Sequence, residues 1–337
     1  MRRIRLVLAS SLLVEFADRE TALGRIKEWA DRGMATVQVV YGPEGCGKTA
    51  WLRQSAELLR EMGFDVIYID PLHQQFATHT DMADIVRRLS EAAAEAFGIA
   101  QIKLATLALE FAREALRRGK RKVAVLADDV FQAVGLDKAA QYVKGMLGLI
   151  EYPPRDYDVV IAVAATSEGI TRREIGRHRW ADLNAMWNMP KEGFKRLYEQ
   201  IPGEKPAFED VWRWTGGNPK LLGRLYEAGW DADKIVERLA AGRDLATFIK
   251  TLSGRERQIL AEAVENPDAL YTEEGMPLME KLRELDLALD LFERKPYLWV
   301  DVPPPERDPE LGIGKYVAWQ TPLHMEAIRR TLENVGR

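Results

Sequence analysis

VQVVYGPEGCGKTAWLRQ, residues Val37–Gln54, passes from an apolar, β-branched run through a cluster of glycines to a lysine and a threonine at the start of a helical pattern. The run Ala35–Tyr41 reads as a buried strand and Gly47–Arg60 as a helix. The link between them, Gly42-Pro43-Glu44-Gly45-Cys46-Gly47-Lys48-Thr49, matches G-x-x-x-x-G-K-[ST]. Glycines let the backbone bend tightly and bring its N–H groups close to phosphate oxygens. A helix beginning at Gly47 points its positive end at the same anion. Lys48 is then the cation for the β- and γ-phosphates, and the Thr49 hydroxyl a ligand for Mg2+. Ala50 follows in the first helical turn and completes the candidate binding segment. Cys46 reads as a small packing residue rather than a redox group.

The chain has 337 residues, 47% hydrophobic and 30% charged, with a net charge of −4. That length implies two or three domains, and that composition a soluble globular protein. No global positive field draws in nucleic acid. A single cysteine excludes an internal disulfide framework, and four scattered histidines argue against a dedicated zinc site. A cytoplasmic location is expected. MRRIRLVLASSLLVEFADRE begins like a signal peptide, but its apolar run is too short to span a bilayer and meets Glu15 and Asp18 at once. It is read as a mature segment packed on the fold.

Further along, FDVIYID (Phe64–Asp70), KVAVLA (Lys122–Ala127), DVVIAVA (Asp158–Ala164) and LNAMWNM (Leu183–Met189) read as strands alternating with helices. Asp81 is expected to cap a helix carrying Met82, Ile85, Val86, Leu89 and Phe97, and a second helix is expected at about Ala105–Arg118. Alternation of this kind predicts an α/β fold with a five-stranded parallel sheet sandwiched by helices. From Pro190 the pattern turns helical: Lys191–Gln200, Phe208–Trp214, Pro219–Gly229 and Asp233–Thr251. Beyond Leu252, two or three helices precede strand-like runs at Tyr297–Val302 and Lys315–Gln320, which suggests a winged helix. The expected domains are a P-loop ATPase core (1–189), a helical lid (190–251) and a winged-helix domain (252–337).

A phosphate loop needs an acid at the end of another sheet strand. VAVLADD supplies Asp128 for Mg2+, held through water, and Asp129 to polarise the attacking water. A full strand and two helices separate the P-loop strand from this acid strand, as in the class with an inserted central strand that includes AAA+ and RecA-like ATPases. No guanine-selecting N-K-x-D occurs. The usual water-activating residue of that class is glutamate, and Asp129 is one methylene shorter, so slow hydrolysis is expected. The fourth strand ends AATSEGITRREIGRHRW. Thr166 or Ser167 stands where a polar sensor would meet the γ-phosphate or the water. Among Arg172, Arg173, Arg177 and Arg179, Arg177 precedes the final strand and is the candidate arginine finger, in cis or across a subunit interface.

FADRETALGRIKEW (Phe16–Trp29) and WTGGNPKLLGRLY (Trp214–Tyr226), taken with GPEGCGKT and VAVLADD, resemble the archaeal ATPase family, in the STAND branch of P-loop NTPases close to AAA+ proteins. The resemblance covers about residues 16–250. It implies ATP or ADP with Mg2+ as the ligands, with Phe16, Ala17 and Arg19 by the adenine and Pro219 touching the base from the lid. Locally, Asn218 also reads as a helix cap with Pro219 at the first helical position. The Asp-Asp motif departs from the family's common Asp-Glu, and the nuclease-like tail some members carry is not expected in this sequence. The expected function is a nucleotide-driven conformational switch with ATPase activity. The alternatives are a DNA-binding AAA+ ATPase of the Orc/Cdc6 type, or a non-hydrolysing scaffold that retains nucleotide.

Lys250–Arg337 holds 12 Lys+Arg against 17 Asp+Glu, a net of −5. Phosphate neutralisation dominates DNA affinity, so this domain is expected to contact protein, within the chain, in a partner or in a second copy. The expected recognition helix, Met276–Leu287, is mixed in charge. RRGKRK (Arg117–Lys122) and the arginine-rich loop are the better DNA candidates. Trp299 and Trp319 are expected in the core. No membrane partner is expected.

Overall fold

The computed structural model describes residues 2–167 and 174–335, which form two compact units. The first comprises residues 2–4, Arg19–Gly42 and Lys48–Met186; the second comprises Arg5–Asp18, Pro43–Gly47 and the chain from Trp187 onward.

In chain order the first unit contains α1 (Glu20–Arg32), β3 (Val37–Tyr41), α2 (Lys48–Glu61), β4 (Asp65–Asp70), β5 (Gln75–His79), α3 (Ala83–Ala93), α4 (Ile99–Arg117), β6 (Lys122–Asp128), α5 (Val130–Val134), α6 (Leu136–Glu151), β7 (Val159–Thr166) and β8 (Ala181–Ala185). The hairpin β1 (Arg5–Ala9) and β2 (Leu12–Glu15) belongs to the second unit. The sheet order is β5-β4-β6-β7-β3-β8. The five expected strands are present and mutually parallel, the last at Ala181–Ala185 rather than Leu183–Met189. A sixth, β5, pairs antiparallel with β4 at the sheet edge. The turn between them begins at Pro71 and passes through Gln74 at φ 53. The interior strands are buried along nearly their whole length, which is why they read as unbroken apolar runs.

Two local expectations give way. Met82, not Asp81, is the N-cap of α3, and the Asp81 carboxylate instead pairs with Lys120 at 2.8 Å. Phe97 lies beyond the end of that helix and is 72% exposed, off the apolar face formed by Ile85 and Leu89.

The second unit has its own core. The hairpin turns Ala9, Leu12 and Val14 into that core and leaves Val7 and Leu13 outside. Helices follow at α7 (Lys191–Glu199), α8 (Phe208–Thr215), α9 (Pro219–Glu227), α10 (Ala232–Gly242), α11 (Leu245–Thr251), α12 (Gly254–Glu265) and α13 (Met276–Glu284). The single helix expected over Asp233–Thr251 is two, broken where Asp244 takes φ 45. Ser253 and Glu256 form a capping box on α12.

Strands β9 (Ala288–Asp290) and β10 (Val317–Trp319) pair antiparallel before α14 (Pro322–Val335). The first of these is not the expected Tyr297–Val302, which carries a short 3-10 turn instead. The long connection is held from inside. The Arg294 guanidinium donates to the carbonyls of Phe292, Pro305, Glu306, Gly314 and Lys315. The Asp268 carboxylate accepts from the amides of Lys315, Tyr316 and Val317. Trp299 and Trp319 are core residues, each with its indole N–H on a backbone carbonyl.

Candidate nucleotide site

β3 delivers the chain to Gly42, where only glycine fits: an added Cβ would collide with the Met186 carbonyl. The loop then turns through Gly45 at φ 74 and Gly47 at φ 105, conformations costly for any residue with a Cβ. Cys46 is fully buried, in keeping with a packing role. α2 begins at Lys48, so the amides of its first turn lack intrahelical acceptors and form the positive end of the helix. Lys48 is 5% exposed, and its ammonium donates to the Gly42 carbonyl at 2.9 Å, folding back over the loop.

Thr49 and Asp128 meet: the threonine hydroxyl is hydrogen-bonded to the carboxylate at the end of β6. The Tyr68 hydroxyl, on neighbouring β4, donates to Asp128 Oδ2 at 3.1 Å. Asp128 Oδ1 is buried with no hydrogen-bond partner among the described residues. Burial, with the charges of Asp129 and Asp70, pushes the Asp128 carboxyl well above the usual carboxylate range against the Thr49 and Tyr68 hydrogen bonds. An orphaned carboxylate oxygen beside a threonine hydroxyl is a set of hard oxygen donors, and a cation there would offset the cost of burial. The residues therefore fit Mg2+, which uses few protein ligands and keeps phosphate and water as the rest.

Asp129 caps α5 at φ 42, with its amide on the Ala165 carbonyl at 3.1 Å. Thr166 ends β7, 1% exposed, opposite Tyr41 of β3 and one residue past the pair Asp128–Ala165. Asp129, just past the end of β6, and Thr166, the last residue of the adjacent β7, thus sit at the C-terminal edge of the sheet. Arg177 does not join them: its side chain is 67% exposed and pairs with Glu174 at 3.2 Å. Arg172 and Arg173 lie outside the described residues.

Phe16 and Arg19 are buried, at 6% and 2% exposure, and Ala17 packs against the second core. Asp18 and Arg19 both take left-handed φ, 62 and 63, immediately before α1. Consecutive strained non-glycine residues concentrate where surrounding structure over-determines the backbone. In the second unit Asn218 accepts from the Leu221 amide at 3.1 Å and caps α9, with Pro219 in its first turn, as read from the sequence.

Several residues escaped sequence reasoning. Tyr68 left one signal, a phenol inside an aliphatic strand. Asp70, 3% exposed at the end of β4, holds His73 Nδ1 at 2.9 Å. At the loop tip, the Glu44 carboxylate pairs with Lys220 and lies 3.9 Å from Arg243. Its burial raises its pKa, but Lys220, Arg243 and Arg224 outweigh that and hold the carboxyl below its ordinary range.

Residues 16–225 match the model of an ATPase domain found predominantly in Archaea. This chain belongs to that archaeal ATPase family. The comparison with curated proteins finds no match. Among solved structures, the chain is similar to the ORC2 protein of Aeropyrum pernix in ADPNP and ADP complexes, at 13% identity over 93% of this chain and 92% of that one, TM-score 0.46. It is similar to AMPPCP-bound DnaA of Aquifex aeolicus at 15% identity over 79% and 82%, TM-score 0.37. It is also similar to the A. pernix ORC1 protein in complex with DNA, at 14% identity over 97% and 94%, TM-score 0.36. The family assignment rests on the match over residues 16–225.

Proposed function

We propose that this archaeal ATPase is an ATP-binding switch that hydrolyses ATP in a Mg2+-dependent reaction. The observation that carries the reading is the Thr49–Asp128 hydrogen bond with a buried, unpartnered carboxylate oxygen beside it. The glycine-rich loop ahead of α2 supports it. Bound Mg2+ would supply positive charge against the β- and γ-phosphates. The backbone amides from Gly42 to Ala50, including those of Glu44, Gly45, Cys46 and Gly47, bind and orient the phosphate tail. Lys48 leaves the Gly42 carbonyl for phosphate oxygens. Asp129 accepts the proton of the attacking water, with a reach one methylene shorter than glutamate, so turnover is slow. Thr166 orients that water or the γ-phosphate, and the exposed Arg177 is assigned as a finger across a subunit interface. Phe16, Ala17 and Arg19 are assigned to the adenine, with Pro219 against the base. The working domains are the core (1–189), the lid (190–251) and a winged helix (252–337) that engages protein rather than DNA. The protein acts in the cytoplasm.

Phosphate release by purified protein, with and without duplex DNA, tests the reading. Lys48→Ala is expected to abolish nucleotide binding or turnover, and wild-type activity in that variant would remove the site assignment. Asp129→Asn is expected to keep binding and lose turnover; unchanged turnover rejects Asp129 as the base. Salt-dependent duplex binding with DNA-stimulated release would replace the switch with a DNA-directed ATPase. Tightly held nucleotide with no release would replace it with a scaffold.

A further inference from the structure

The tip of the phosphate loop is held by three buried side-chain amides from distant parts of the second unit. Asn188, Asn218 and Gln320 are 2%, 1% and 4% exposed. The Glu44 amide donates to Gln320 Oε1 at 3.2 Å. The Gln320 carbonyl accepts from Asn188 Nδ2 at 3.2 Å. Asn188 Oδ1 accepts from Asn218 Nδ2 at 2.9 Å, and that same amide group donates to the Glu44 carbonyl at 2.9 Å. The four residues thus close a hydrogen-bonded ring that begins and ends on the two backbone groups of Glu44. Beside the ring, the Lys220 amide donates to the Gly45 carbonyl at 3.3 Å. The approach is so close that a Cβ on Gly45 would collide with the Lys220 side chain. Lys220 also pairs with the Glu44 carboxylate.

A buried amide left without a partner is costly, so such rings persist only when every member is satisfied. Apolar residues of similar volume would fill the same space but would leave both backbone groups of Glu44 without these partners. The ring fixes two successive peptide units, Pro43–Glu44 and Glu44–Gly45, at the tip of the phosphate loop. Asn218 does two separable jobs, because its oxygen caps α9 while its nitrogen closes the ring.

We infer that Asn188, Asn218 and Gln320 are positioning residues for phosphate binding, presetting the loop tip so that its amides converge on an anion. The inference rests on the nucleotide reading above and names the device that regulates that site. The lid helix α9 and the segment between β10 and α14 both grip Glu44, so a change at either one reaches the loop directly. By linkage, nucleotide at the loop tightens their hold in return.

Asn218→Asp is the decisive substitution. It keeps an oxygen to cap α9 but replaces both amide donations with a carboxylate facing two acceptors. Gln320→Met removes the acceptor of the Glu44 amide with little change of volume. ADP affinity, measured by calorimetry, is expected to fall at least about tenfold in Asn218→Asp and severalfold in Gln320→Met. Members of one ring do not add, so the double variant is expected to lose no more than about twofold beyond Asn218→Asp. Hydrogen exchange without nucleotide is expected to rise over residues 43–47 while exchange in β6 and β7 stays unchanged. Unchanged or tighter ADP binding in both single variants, or losses that multiply in the double, overturns the inference. If Asn218→Asp does not fold, Gln320→Met alone decides by the same two readouts. A wild-type protein that binds no ADP removes the nucleotide reading, whereas the exchange arm still judges whether the ring positions the loop.

Discussion

Tyr68→Phe removes a single oxygen and leaves the packing of β4 intact. Tyr68 is 1% exposed, and its hydroxyl donates to Asp128 Oδ2 at 3.1 Å and accepts from Arg53 Nε at 3.4 Å. The Arg53 guanidinium also lies over the phenol ring at 5.5 Å, which fixes the ring's orientation. Burial and the Asp128 charge raise the phenol pKa, so the hydroxyl stays protonated and remains a donor. A hydrogen bond to a charged group is worth about 1.5–3 kcal/mol, and loss of an outer-shell partner typically costs about 10- to 100-fold in metal affinity. The two estimates agree, since a factor of ten is about 1.4 kcal/mol. Without Tyr68, Asp128 loses one of its two stabilising hydrogen bonds while burial and Asp129 still oppose its charge. Binding of a fluorescent ADP should therefore need at least about tenfold more Mg2+ for half-saturation in Tyr68→Phe, while binding in EDTA stays within about twofold of wild type. The EDTA arm separates the metal from the loop. A Mg2+ dependence superimposable on wild type would refute the claim that Tyr68 orients Asp128, and an equal loss in EDTA would relocate the defect to the phosphate loop.

Gly42→Ala places a methyl against the Met186 carbonyl, and no flexible side chain is there to yield, so nucleotide binding should vanish in a chain whose circular dichroism is little changed. Arg294→Ala strips the donors from five backbone carbonyls of the loop between β9 and β10; a loss of at least about 3 kcal/mol is expected in urea unfolding, with fast hydrogen exchange over residues 303–316. Burial, followed by the charge of Arg243, pushes His324 down to about 3, so it is neutral when folded but protonates near 6.5 when unfolded. A depressed folded pKa gives stability that is full above about 6.5 and falls as pH drops toward 3, by a few kcal/mol on an order-of-magnitude basis. His324→Gln should flatten the melting temperature between pH 6.5 and 4, and an equally steep decline in that variant would exclude His324 as its source.

What the sequence made legible was local. Val37–Thr49 carries its strand, turn and helix start within one window, because glycine conformations, loop carbonyls and helix-end amides are all set by neighbouring residues. VAVLADD is legible for the same reason: a run buried on both faces ends where its first polar residues emerge. Asn218 and Pro219 announced a helix start by cap chemistry alone, and the structure agrees. The misread elements are those decided by partners elsewhere. QFATH (Gln75–His79) has no strong strand pattern and becomes β5 because the open edge of β4 accepts it. YLWVDV (Tyr297–Val302) has strand-like residues, but Pro296 precedes it and Pro303–Pro305 follow it, and proline supplies no ladder donor. The pairing with β10 goes instead to the three residues Ala288–Asp290, which α13 leads into directly.

The same distinction bears on function. The chemistry-bearing residues of a phosphate loop can be found in order along the chain, because they act on one ligand from one turn. The residues that govern the loop cannot. Gln320 stands in an ordinary-looking WQTP, 276 residues from the amide it accepts, and Asn188 in an apolar LNAMWNM. Neither spacing nor composition marks them. What marks them is burial of polar groups that bond to one another and to Glu44, a condition that exists only once the chain has folded. If a switch is a loop whose shape depends on a distant segment, its recognition motif and its control residues must have different kinds of signature. In this chain Glu44 belongs to both: its place in the motif assigns it to the proposed phosphate site, and its amide and carbonyl tie it to the distant amides.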